Sequence, residues 1–293
     1  MMMLFFRELR SDDIPSIKEI SKDIWEGEDY VPQVIDNWLN DGNCMNYGAF
    51  RDEGRKEMVG FGRVKLFNRD IAWLEGGRVK KDYQKKGIGR EMIKYALDYA
   101  KSIKVRKAQF DTSSKNLGST ALAKYFGFKQ KKSMNVLNAK RPDIKSSGFP
   151  SIEVKKVSAK ESKKLYPTFN IGPSDEICMG WSYKSLKYLS DDDGDWYVVN
   201  SDAILQKITF KSVSIQEGPE ENDIWLIAYG KTKLSFELIQ YILQQELKNK
   251  ENNSFEIFCA PEVASLVENI GFSYYDGEPF GVVLYEKILN KND

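Results

Sequence analysis

The chain has 293 residues, 41% of them apolar, and its 44 basic and 43 acidic side chains nearly cancel to a formal charge of +1. That length favours two domains of ordinary size, and the near-neutrality excludes a global attraction to polyanions or to an anionic membrane. Histidine is absent, so any general base must be a carboxylate, an amine, a phenolate or a water, and His-dependent triads are excluded.

Along the chain, the apolar opening meets Arg7, Glu8 and Arg10 too soon for a signal peptide and reads as a first strand over 4–9. A helix is expected over 11–24 with Ser11 as its cap, followed by a second amphipathic stretch carrying Val34, Ile35, Trp38 and Leu39. Strands follow at 46–52, 58–67 and 71–79, separated by turn-forming segments, and read as an antiparallel meander. Ile88, Met92, Ile93, Ala96, Leu97 and Ala100 then fall at a period near 3.6, the mark of an amphipathic helix. A strand at 107–113 precedes a short helix that closes on Gly127-Phe128.

The turn-rich run 138–150 suggests a boundary that divides the chain into domains 1–147 and 148–293. The second half begins with a strand at 151–157 and then repeats part of the first: strand 223–230, helix 235–247, strand 254–260 and a helix closing on Gly271-Phe272. An internal duplication is the economical reading. Cys44, Cys178 and Cys259 are scattered, without zinc-ligand spacing. This fits reduced thiols in a cytoplasmic protein, with no metal site. No run approaches the length of a membrane span.

The segment Asp82-Tyr-Gln-Lys-Lys-Gly-Ile-Gly-Arg90 crowds Lys85, Lys86 and Arg90 around Gly87, Ile88 and Gly89 at a helix entrance. A helix opening through Gly-x-Gly presents unpaired N–H groups and the positive end of the helix dipole, and glycine lets that backbone wrap closely around an anion. The like charges are then explained by a phosphate-bearing ligand. Neither a Walker sequence nor a dinucleotide fingerprint is present. The run of Gln84-x-x-Gly87-x-Gly89 after a strand ending Glu75-Gly-Gly-Arg-Val79, then an amphipathic helix, a strand, Asn116 and a short helix ending Gly-Phe, resembles the GNAT superfamily of N-acetyltransferases.

The resemblance covers about residues 1–137 and implies an α/β (α+β) GNAT fold, a mixed central sheet with flanking helices, and acetyl-coenzyme A as cosubstrate. It implies a degenerate GNAT-like domain in the second half, where the phosphate loop is missing. By the same resemblance, the loop amides with Gln84, Lys85, Lys86, Gly87, Ile88, Gly89 and Arg90 hold the pyrophosphate. Val79, Lys80 and Lys81 pair with the pantetheine arm, and Asn116 contacts the cofactor. The 71–79 strand together with residues 25–39 is similar to the subgroup of histidine N-acetyltransferase-like small-amine enzymes.

Acetyl transfer needs a neutral amine, so a group must take its proton. Glu75 is the first candidate, its bland alternative being a cross-strand ion pair. Glu28, Asp29 and Tyr30 are the acceptor-side candidates, with a helix-flanking acidic turn as their bland reading. A backbone N–H near Gly77 or Val79 is expected as oxyanion donor, and the paired glycines 76 and 77 permit a bulge there. Where many family members carry an acidic tyrosine, this chain has Ala123. The expected partner is a small-molecule or peptide amine, not nucleic acid or membrane, with the protein a monomer or homodimer. A non-catalytic acyl-coenzyme A sensor is the alternative.

Overall fold

Alternating burial and helical stripes set the elements of the computed structural model, which describes residues 3–24, 27, 29–67, 70–145, 150–169, 175–211 and 222–289. In the first half these are β1 (Phe5–Glu8), α1 (Ile14–Ser21), α2 (Val31–Leu39), β2 (Cys44–Phe50), β3 (Met58–Phe67), β4 (Ile71–Val79), α3 (Ile88–Ser102), β5 (Lys107–Ser113), α4 (Leu117–Tyr125) and β6 (Lys129–Lys140). In the second they are β7 (Lys155–Val157), α5 (Ala159–Leu165), β8 (Glu176–Cys178), β9 (Tyr183–Ser185), β10 (Asp195–Val199), β11 (Ala203–Lys211), β12 (Asn222–Gly230), α6 (Thr232–Glu246), β13 (Asn252–Cys259), α7 (Pro261–Glu268) and β14 (Gly281–Ile288). Among the described residues, no helix is long and apolar enough to cross a membrane.

The chain forms two compact units. The first comprises Met1–Phe110, Gly118–Gln130 and Tyr285–Asp293, and the second Asp111–Leu117 and Lys131–Leu284. In the first unit the strand order is β1-β2-β3-β4-β5, and the last residues of β14 follow β5. The meander β2-β3-β4 is antiparallel, as its alternating apolar pattern predicts, whereas β4 and β5 run parallel across α3. One face of α3 (Ile88, Met92, Ala96, Leu97 and Ala100) is buried. Ile17, Ile20, Val31, Ile35, Trp38, Phe50 and Phe61 form the core under α1 and α2.

Two departures from the sequence reading fall in this unit. Ser11 does not cap a helix: Ser11–Asp13 make a 3-10 turn, and α1 starts at Ile14 with Pro15 in its first turn. α1 has no side-chain cap; the Asp13 carboxylate instead takes the Arg10 N–H ahead of the 3-10 turn at 2.8 Å and also binds the Arg7 guanidinium at 2.7 Å. A carboxylate held by a fixed cation is a stronger acceptor than a serine hydroxyl. The last strand also returns a glutamate to this unit. The carboxylate of Glu286 accepts from Lys107 Nζ at 3.0 Å and from Gln109 Nε2 at 2.8 Å, all three groups being buried.

The second unit repeats the same order of pieces. Strands β10-β11-β12 are antiparallel, α6 follows, and β13 lies parallel to β12. β6 pairs antiparallel with β13, β7 pairs with β10, and β8 and β9 form a separate two-stranded ribbon. Only the last three residues of the expected 151–157 strand pair, as β7. Its core holds Trp196, Tyr166, Ile177 and Ile204.

Candidate active site

Strands β4 and β5 are paired only at Ile71, Ala72 and Trp73 with Lys107, Ala108 and Gln109. β4 continues for six more residues without that neighbour. Past Trp73, among the described residues, no strand is paired with β4 on the side that faces β5 earlier, an edge that an extended ligand can complete. On its other side β4 remains in register with β3, except that Phe61 opposes Arg78 while Arg63 opposes Glu75. Gly76 and Gly77 thus face Gly62 alone, which is the bulge expected from the paired glycines. Gly76 sits at φ +63°, and a Cβ there would come within 2.4 Å of the Trp38 ring, so that position of the bulge admits no side chain.

After Val79 a 3-10 turn at Lys81–Tyr83 leads into an exposed loop and then α3. Lys85 takes φ +59° and Gly87 φ +85°, two left-handed residues in a stretch of three. The reversal carries five successive amides, Lys85 to Gly89, for which no acceptor lies within hydrogen-bond geometry among the described residues. Arg90 and Glu91 are the first to bond, both to the Gly87 carbonyl, at 3.1 and 3.2 Å. Consecutive unpaired amides at the start of a fifteen-residue helix form an anion-binding concavity. The Gln84 amide pins the loop by donating to the Val79 carbonyl at 3.2 Å. Lys81, Lys85 and Lys86 are exposed and Lys80 half-buried, while Ile88 is buried as the helix's first core residue. The Lys86 ammonium lies 5.2 Å over the Tyr83 ring, and the Arg90 guanidinium 5.2 Å over the Tyr125 ring.

Glu75 stands on β4 opposite Arg63, with its Oε1 3.3 Å from Arg63 Nε and its side chain 25% exposed. Arg63 is buried, also paired with Asp41, and its guanidinium lies 4.8 Å over the Trp38 ring. Burial pushes the Glu75 carboxyl above its ordinary value, and the charges of Arg63 and Lys65 pull it only part of the way back. A carboxylate with a raised pKa on a partly exposed side chain is suited to accept a proton. The cross-strand ion pair is present too, so the same residue carries both features.

On the acceptor side, Glu28 lies outside the described residues. Asp29 is buried and forms a fork with Arg78, Nη2 to Oδ1 at 2.8 Å and Nε to Oδ2 at 3.1 Å, and its Oδ1 also accepts the Val31 N–H at 3.3 Å. That carboxylate is committed to positioning. What it positions is Arg78, whose guanidinium lies 5.7 Å over the exposed Tyr30 ring, and Tyr30 in turn meets Trp38 edge to face at 6.1 Å. Arg63, Arg78, Asp41 and Trp38 escape the sequence reading. The available signal was β-strand register, since Arg63 and Glu75 are cross-strand partners, but a register shifted by a bulge is not readable from alternation.

Ala123 is fully buried on α4, and Tyr125 is 64% exposed beneath Arg90. Asn116 lies on the loop after β5, in the segment that belongs to the second unit, where its amide donates to the Ser113 carbonyl at 2.9 Å.

The comparisons agree with this geometry. Residues 7–128 match the model of the acetyltransferase (GNAT) family. A GCN5-related N-acetyltransferase from Sphaerobacter thermophilus superposes with a TM-score of 0.61 at 10% identity, over 97% of this chain and 95% of its own. An inferred acetyltransferase from Pyrococcus horikoshii gives 0.57 at 16% identity, over 99% and 91%. One from Thermoplasma acidophilum gives 0.56 at 16% identity, over 97% and 100%. A comparison with curated protein sequences finds no match. At such identities the structural likeness speaks for the fold, and together with the sequence match it places an acetyltransferase domain of the GNAT family at residues 7–128, in a chain that carries the GNAT fold over nearly its whole length.

Proposed function

We propose that the chain is an acetyl-coenzyme A-dependent N-acetyltransferase in which a primary amine attacks the thioester directly in a ternary complex. The observation that carries this reading is the arc of five amides from Lys85 to Gly89, with no acceptor in hydrogen-bond geometry among the described residues. Their N–H groups take the pyrophosphate, with Lys85, Lys86 and Arg90 supplying charge. Val79, Lys80 and Lys81 accept the pantetheine arm along the unpaired edge of β4, and Asn116 is assigned to the cofactor by family resemblance. When bound, acetyl-coenzyme A supplies the activated acyl group.

Glu75 takes the proton from the acceptor ammonium, directly or through a water, so the amine attacks as a neutral nucleophile. The bulge at Gly76 and Gly77 frees a backbone N–H, of Gly77 or Val79, to stabilise the oxyanion. Tyr30 meets the acceptor, with Asp29 acting through Arg78, and Glu28 remains an acceptor-side candidate by sequence. With Ala123 in place of an acid, the sulfur departs as a thiolate, tolerable for a thiol of pKa near roughly 8.5. The division into domains 1–147 and 148–293 makes the second a GNAT-like partner without a phosphate loop, in a cytoplasmic monomer or homodimer.

The test is release of free thiol from acetyl-coenzyme A across amino acids, polyamines and short peptides. Turnover of one amine, slowed by Glu75→Gln with unchanged cofactor affinity, supports the proposal. Tight coenzyme A binding with no turnover supports instead the acyl-coenzyme A sensor, which the buried Ala123 favours.

A further inference from the structure

The second unit contains a cavity of about 570 Å³, within the range of small-molecule sites. It opens where two ladders end together. The parallel pairing of β12 with β13 stops at Ile227 and Phe258, and the pairing of β13 with β6 stops at Cys259 and Asn135. The residues just past those ends line the space: Ala228 to Lys231, Lys131 to Met134, and Ala260. Met134, Tyr183, Ala228 and Val263 give it a buried apolar wall.

One polar group in that wall is unsatisfied. Ser235 is 1% exposed, lines the cavity, and its hydroxyl has no hydrogen-bond partner. Ser235 sits in the opening turns of α6, a fifteen-residue helix whose Thr232, Lys233 and Leu234 amides have no acceptor among the described residues. Lys231, Lys131 and Lys132 line the cavity against two carboxylates, Asp202 and Glu262, and Asp202 is taken up by Lys231 at 2.7 Å. A buried hydroxyl beside the positive end of a long helix selects an anionic group. The site does not suit a diphosphate, because Lys231 alone separates the end of β12 from α6 and no arc of loop amides exists.

We propose that this cavity is a ligand site of its own, which takes an amphipathic anion: one carboxylate or phosphate monoester at Ser235 and the first turn of α6, with an apolar body against Met134, Tyr183, Ala228 and Val263. Calorimetric titration of the full chain with octanoate, phenyl phosphate and neutral 1-octanol tests it. One equivalent of octanoate or phenyl phosphate binds, the tighter of the two identifying the head group, and octanol binds at least about tenfold more weakly.

Ser235→Ala weakens the anion about threefold to tenfold, one hydrogen bond's worth, while the melting temperature without ligand holds or rises because an unpaired buried hydroxyl has been removed. Ala260→Trp, at the mouth, weakens it about tenfold or more. Gly87→Val leaves octanoate affinity unchanged, which separates this site from the nucleotide reading of the first unit. Absence of binding by both anions, equal binding of octanol, or affinity indifferent to both Ser235→Ala and Ala260→Trp overturns the proposal.

Discussion

The chain enters α3 and α6 from strands of the same kind, and the two entrances differ in almost every physical respect. Between β4 and α3 lie eight residues with two left-handed positions, whereas one residue, Lys231, lies between β12 and α6. The glycines show what each entrance is for. Around Gly87 a Cβ would meet nothing within 4 Å, while at Gly230 it would lie 2.3 Å from the Asp202 carbonyl oxygen. Gly87 holds a loop open to solvent, and Gly230 lets two backbones pass closely. The same residue type serves ligand access in one unit and packing in the other.

The largest effect expected from breaking this contrast is chemical. Glu75→Gln should lower kcat by about 10² to 10⁴ and leave the melting temperature nearly unchanged, as steady-state kinetics and thermal denaturation will read. Its pH profile sharpens the point. Because burial raises the Glu75 carboxyl, the rate of the native protein should climb with pH through a step above the ordinary carboxylate range, and the variant should lack that step. The sign for stability is opposite: a raised folded-state pKa favours the fold most at pH below the unfolded value, and that contribution disappears as pH rises through the folded value.

Next in size is Gly230→Ala, where a backbone clash and φ +119° should together cost about 2–5 kcal/mol in denaturant unfolding. Gly87→Ala should be milder, about 1–2 kcal/mol for the left-handed backbone, with the loss appearing in coenzyme A affinity rather than in unfolding of the unit. If Gly230→Ala proves as tolerable as Gly87→Ala, the distinction between the two entrances fails. The smallest effect belongs to Lys85→Ala and Lys86→Ala. Each should weaken coenzyme A by about 0.2–1 kcal/mol and flatten its salt dependence, because both side chains are exposed and screened.

Much of the first unit was legible beforehand. The strands at 58–67, 71–79 and 107–113 and the buried stripe of α3 follow from local alternation and a 3.6 period, which backbone geometry imposes wherever one face is buried. The glycine loop was readable for the same reason, since left-handed backbone at Gly87 leaves a residue signature. β6 was not, because its first four residues are Lys129, Gln130, Lys131 and Lys132, and only Met134, Val136, Leu137 and Ala139 turn inward. Nor was the fork of Asp29 on Arg78, two residues 49 apart in the chain.

Sequence alone determined which segments are helix and strand around the loop, and which residue types could grip an anion, because both depend on neighbours within a turn or two of the chain. Tertiary structure decided where the last strand goes: β14 starts in the second unit and brings Glu286 to Lys107 and Gln109 in the first. It also decided that Asp29 serves Arg78 and that Ser235 faces a cavity. Such outcomes turn on partners far away in sequence, and a buried charge or hydroxyl acquires its meaning only from the group that folding sets beside it.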